Sequence, residues 1–240
     1  MTPNQPPRHL SPALLRPLAL LAFASIASTV LLGARMVLLR QFHHYFLVWN
    51  LFLAWLPLLF ALGACWMDQR GQARRWPFVA AAGGWFFFFP NAPYILTDII
   101  HLGSKSQRYY WPDLVLILLF AITGLVLGFL SLFLMQRLVA HRFGWPQGWL
   151  FVGAMAALSG FGIYAGRFLR WNSWDVLFSP FALLDEGLRW LSTMPTDPRG
   201  IILPVLFGAL LFISYVTLYG LTHLQAADNN PARLPSRQQP

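Results

Sequence analysis

The stretch Trp85–Leu102 reads WFFFFPNAPYILTDIIHL, and its interpretation decides the fold. Five consecutive aromatic residues of membrane grade run into Pro90-Asn91-Ala92-Pro93, and a compact polar group comes next. Pro90 cannot sit inside a helix beyond its first turn, and the ring of Pro93 disfavours α geometry at Ala92. The aromatic helix is therefore expected to end near Phe89. Asn91 suits an N-cap and Pro93 a first turn, so a separate short helix is expected over Tyr94–Leu102. At 100° per residue, Tyr94, Thr97, Asp98 and His101 share about a third of its circumference. The hydrogen-bonding groups then form one stripe.

Composition sets the environment of that stretch. Of 240 residues, 57% are hydrophobic and only 10% are charged, against about 25% charged in soluble domains. Eleven Trp and 21 Phe fit the aromatic belts of a bilayer protein. The single cysteine, Cys65, excludes an internal disulfide and a thiolate-rich metal site. The net charge of +9 does not indicate nucleic acid, because the arginines lie in short loops between apolar runs. No phosphate-binding loop, nucleophile elbow or HExxH motif is present.

Working outward, the expected fold class is all-α: a polytopic integral membrane protein with six spans. These are 18–39, 45–66, the short 76–89, 113–138, 148–168 and 201–221, with a kink at Pro57. Span three reaches the roughly 20 residues a bilayer needs only if the segment after Pro93 adds depth. Residues 1–17 and 225–240 read as disordered tails around one membrane domain, 18–224. Ser179–Ser192 is too short and too charged to span and reads as an amphipathic interfacial helix. Gly124/Gly128 and Gly162/Gly166 are four apart, a spacing that permits close helix approach.

Six spans bring the loops after spans one, three and five to the same side. Discounting Arg35, Arg167 and Arg170, which abut or enter apolar spans, the arginine bias puts both termini in the cytoplasm of a bacterial inner or plasma membrane. The chemically loaded loops are then extracytoplasmic. Asp98 and His101 could supply acid/base catalysis or metal ligands, although two ligands fall short of a metal site. Their plainer role is to hydrogen-bond each other or backbone. Arg167 and Arg170 suit an anion, because the guanidinium fork matches phosphate or carboxylate oxygens. Alternatively they pair with Asp98 or Asp175, or snorkel to headgroups. Asn91, Tyr94, Asn172 and Asp175 complete the candidate binding set, with a capping role open to Asn172 and Asp175. Asn50, inside WNLFLAW, requires an intramembrane hydrogen-bond partner. Asp113 suits the positive end of span four. An ionised Asp98 at membrane depth requires a cation, for which Arg167, Arg170 and Arg35 are the candidates.

The runs YFLVWNLFLAWLP (45–57), FFPNAPYILTDIIHL (88–102), YYWPD (109–113) and GFGIYAGRFLRWNSWD (160–175) resemble the bacterial membrane-protein family catalogued as domain of unknown function 1361. The resemblance covers roughly 41–221 and implies a polytopic membrane protein. It brings no reaction, cofactor or catalytic residue. The residues themselves support a polar extracytoplasmic pocket for an anionic substrate, including one linked to a lipid. The alternative is a transporter or an accessory subunit whose polar cluster is structural. The bilayer is the one partner the sequence identifies, and no cofactor is indicated.

Overall fold

The computed structural model describes residues 14–40, 44–73, 75–103, 109–170 and 198–228, with isolated positions between 181 and 192. The described residues form helices and no strands. In chain order these are α1 (Leu15–Leu39), α2 (Phe46–Gln69), α3 (Trp76–Phe88), α4 (Asn91–Tyr94), a 3₁₀ helix (Ile95–Gly103), α5 (Tyr110–Phe143), α6 (Trp145–Arg167) and α7 (Arg199–Asp228). Five of them, α1, α2, α5, α6 and α7, are long and apolar enough to cross a membrane. Of the disordered tails expected at 1–17 and 225–240, residues 15–17 belong to α1 and 225–228 to α7; 1–13 and 229–240, and nearly all of the interfacial helix expected at Ser179–Ser192, lie outside the described residues.

Five of the six expected spans are helices of membrane length, and span three is the one that is not. With thirteen residues, α3 extends about 20 Å, short of the roughly 30 Å hydrocarbon core. Helix α3, α4 and the 3₁₀ helix together form the composite segment that the six-span reading takes as its third crossing. It begins at Phe78, whose ring lies under the Arg142 guanidinium near the Arg142–Asp68 ion pair. It continues through α4 and ends in the 3₁₀ helix, at the opposite end of the bundle. Helix α2 runs without interruption through Pro57.

Helix α5 is the axis. Of its apolar window 56% is buried, against 22% for α1 and 17% for α7, which lie at the periphery. The face α2 turns inward carries Leu47, Leu51, Ala54, Leu58, Ala61 and Cys65, spaced four and three apart, so one stripe meets α3 and α5. Helix α7 packs antiparallel on α6. A Cβ added at Gly160 would lie 2.2 Å from the Pro204 carbonyl oxygen, while Trp149 meets Tyr219 ring to ring toward the other end. This is the tightest glycine-mediated approach among the described residues, whereas the sequence spacing points to Gly124/Gly128 and Gly162/Gly166.

The aromatic run divides by helical phase. Trp85 and Phe89, one turn apart, point inward and stack at 4.8 Å. Phe86 and Phe87 face outward and are exposed. The Trp85 indole donates to Ser131 Oγ at 3.2 Å, which fixes α3 against α5. The Pro90–Pro93 break occurs where expected, and its backbone bonds account for it. Ala92 N–H donates to the Phe89 carbonyl rather than one residue further back. The Phe88 carbonyl this leaves is taken by Asn91 Nδ2 at 3.2 Å. Asn91 thus satisfies the end of α3 and does not cap α4, which has no side-chain cap. The break sits in a notch of small residues: Cβ atoms added at Gly124, Gly128 and Gly162 would meet Ile95, Ala92 and Pro90 respectively, all within 3.0 Å.

Tracing direction through these contacts, α1, the composite crossing and α6 run toward the Asp98 end, and α2, α5 and α7 run back. The first and last helices therefore begin and finish at the same end. Reporter fusions after Gln225 and at Lys105 are expected to lie in opposite compartments. A shared compartment would overturn this arrangement.

A buried charge cluster at one end of the bundle

The site is built on the 3₁₀ helix. Its three residues per turn set Ile95 and Asp98 one above the other, and both are buried, at 0% and 1% exposure. The winding differs from the α-helix expected for Tyr94–Leu102, but Thr97 and Asp98 share a side as expected and turn into the bundle, while Ile99 and Ile100 are exposed.

Asp98 is held from two helices. Its Oδ1 accepts from Arg167 Nη2 at 2.5 Å and its Oδ2 accepts from Asn50 Nδ2 at 2.7 Å. Arg167, at the last turn of α6, also donates from Nε and Nη2 to Thr97 Oγ1 at 3.0 and 2.7 Å. The Thr97 hydroxyl in turn donates to the Tyr94 carbonyl at 2.7 Å. The Arg167 guanidinium carbon lies 4.6 Å from the centroid of the Tyr94 ring, a cation–π distance. One cation and one anion, nearly dry, are thus closed by neutral donors and an aromatic face. The Arg167 and Asp98 side chains are 14% and 2% exposed, so the pair is largely removed from the screening of water.

A second pair lies at the same end. Arg35, near the C-terminus of α1, binds Asp113 in a fork, Nε to Oδ1 at 2.7 Å and Nη2 to Oδ2 at 2.9 Å. Asp113 is in the first turn of α5, so it meets the helix dipole as expected, and it also fastens α1 to the bundle. Arg35 is therefore not the cation of Asp98.

Of the residues singled out from sequence, Tyr94, Asp98 and Arg167 meet. Asn91 lies nearby in the chain and serves the break. Arg170 is exposed, three residues beyond Arg167, with a left-handed φ of 61°. Asn172, Asp175 and the His101 side chain lie outside the described residues. Thr97 and Asn50 are the members that the sequence-based site left out. Each had a signal, Thr97 on the polar stripe and Asn50 as a polar group at membrane depth. Among the described residues, no three His, Cys, Asp or Glu side chains converge as metal ligands would.

An all-helical, multi-pass architecture with membrane-length helices and an ion pair closed inside it defines an integral membrane protein. The chain belongs to the family described as Protein of unknown function (DUF1361), whose model matches residues 49–214. The match takes in Asn50, Asp98 and Arg167 and leaves α1, with Arg35, outside. No curated protein and no solved structure matches the chain.

Proposed function

We propose that this membrane protein binds an anionic group at the Asp98 end of its bundle, on the extracytoplasmic side, with Arg167 as the principal anchor and Arg170 beside it. The observation that carries this reading is how Arg167 is held. Thr97 accepts from it and Tyr94 lies against it, and both are neutral. Of these three described partners, Asp98 is the charged one. The guanidinium thus keeps its position when the carboxylate is exchanged for another oxyanion, and Asp98 acts as an internal stand-in for that ligand. Arg170, exposed and on the same side of the membrane, adds a second positive charge.

A second reading, a purely structural clasp, is favoured by one fact: both Asp98 oxygens are already engaged within the protein. Titration calorimetry with inorganic phosphate separates the two. If Asp98 competes with the ligand, Asp98→Asn, which keeps the shape and removes the charge, binds phosphate about tenfold more tightly than wild type. That gain corresponds to about 1.4 kcal/mol. Arg167→Gln then binds none. Absence of phosphate binding in both wild type and Asp98→Asn would leave only the clasp.

A further inference from the structure

At the end of the bundle opposite Asp98, we infer that a collar of ring-stacked arginines binds the headgroups of anionic phospholipids of the phosphatidylglycerol type. The arginines are Arg70, the C-cap of α2, and Arg137 and Arg142 near the C-terminus of α5. Each guanidinium carbon lies over an aromatic ring. Arg70 is 3.9 Å from the centroid of Trp66, Arg142 4.7 Å from that of Phe78, and Arg137 5.6 Å from that of Phe133. A ring takes the face of a guanidinium and leaves the N–H donors at its edge. Arg142 uses that edge on Asp68. The Arg70 and Arg137 guanidinia donate to nothing among the described residues, and both side chains are exposed.

Two observations direct these arginines toward lipid. The first is depth. Helices α2 and α5 run in the same direction, and Cys65 Sγ donates to the Leu134 carbonyl at 3.8 Å. Asp68 and Arg137 each lie three residues beyond that contact, about 4.5 Å further along the axis. Arg70 and Arg142 follow within about 12 Å of it. Exposed Trp66, Trp76 and Trp145 lie at the same end, as aromatic side chains do at a membrane–water boundary. The unused donors are therefore at headgroup level. The second observation is charge balance. At the Asp98 end, Arg35 and Arg167 are paired with Asp113 and Asp98. At this end, Asp68 is the acidic group among the described side chains, and Arg142 takes it. Arg70 and Arg137 are then in surplus. A lipid phosphate supplies the oxygens that a guanidinium fork matches. Selectivity follows from net charge, because phosphatidylcholine offsets its phosphate with its own ammonium, and an anionic headgroup does not.

The test is native mass spectrometry of the full-length protein in a neutral detergent, titrated with phosphatidylglycerol or with phosphatidylcholine of the same acyl chains. Phosphatidylglycerol is expected to bind about tenfold more tightly. Arg70→Gln and Arg137→Gln should each weaken its binding about fivefold, the effect of one basic residue beside an anionic surface. Arg40→Gln removes an exposed arginine at the Asp98 end and should leave binding unchanged. No preference for phosphatidylglycerol in the wild type, or an equal loss in Arg40→Gln, would overturn the lipid assignment. Arg70→Lys and Arg137→Lys keep the charge and lose the fork, so they too should bind more weakly. Full binding by both would assign the preference to net charge and overturn the role of the ring-held guanidinia. Should either Gln variant fail to fold, the Lys variant at the same position decides in its place.

Discussion

Asp98→Ala is expected to lower the stability of the detergent-solubilised protein by about 3–5 kcal/mol, and Arg167→Ala by a similar amount. The size reflects burial. Either substitution strands a charge in a nearly dry site, with 2% and 14% of the two side chains exposed. Losing Asp98 also leaves Asn50 Nδ2 without its acceptor, and losing Arg167 removes the donor that ties α6 to the 3₁₀ helix. The double variant strands no charge, so it should be harmed less than the sum of the single ones, with a coupling of about 0.5–3 kcal/mol. Denaturant titration of the four proteins measures this directly. Strict additivity would show that the ion pair contributes nothing as a pair. Asp98→Asn belongs in the same series, because it separates shape from charge and is the variant on which phosphate binding turns.

The second large effect is expected at Gly160. Its Cβ position lies 2.2 Å from the Pro204 carbonyl oxygen and 2.6 Å from the Gly208 nitrogen. Both are backbone atoms, so no side chain can rotate out of the way, and α6 and α7 must move apart. Overpacking of this kind costs about 1–3 kcal/mol, and Gly160→Ala should fall at the upper end because the seam is the main attachment of α7. Gly153→Ala is the matched control. It lies on the same helix, faces the same partner and has no atom closer than Phe212 at 4.0 Å. Helix propensity favours alanine at both sites by about 1 kcal/mol, so the control should be neutral or slightly stabilising. Equal thermal stability of the two variants would remove the argument from close approach.

Much of this was legible in the sequence, for reasons that differ by element. The membrane-length helices announce themselves because lipid leaves the backbone no alternative to internal hydrogen bonding. The Pro90–Pro93 break is local covalent chemistry and needs no tertiary context. The Asp98–Arg167 pair is implied by the cost of an unpaired carboxylate at membrane depth, and a partner for Asn50 by the same rule applied to an amide. Geometry set by packing could not be read. Whether Tyr94–Leu102 winds as α or 3₁₀ depends on fitting Ile95 against Gly124, which no periodicity reports. The Arg35–Asp113 fork was hidden because Asp113 already had a sufficient role at its helix terminus. The Gly160–Gly208 seam joins two glycines far apart in the chain, whereas the visible four-residue spacings lie within single helices.

The short third crossing bears on how the protein enters the membrane. At thirteen residues, α3 cannot hold a bilayer-spanning position by itself, and the 3₁₀ helix that completes the crossing carries a carboxylate whose two helical partners lie on α2 and α6. During synthesis α2 is already present when Asp98 emerges, and α6 is not. Asn50 is then the first group able to receive the carboxylate, and Arg167 arrives two helices later to neutralise it. The composite segment can settle into the glycine notch only once α5 and α6 are made, so the element that defines the fold is secured by helices that follow it in the chain.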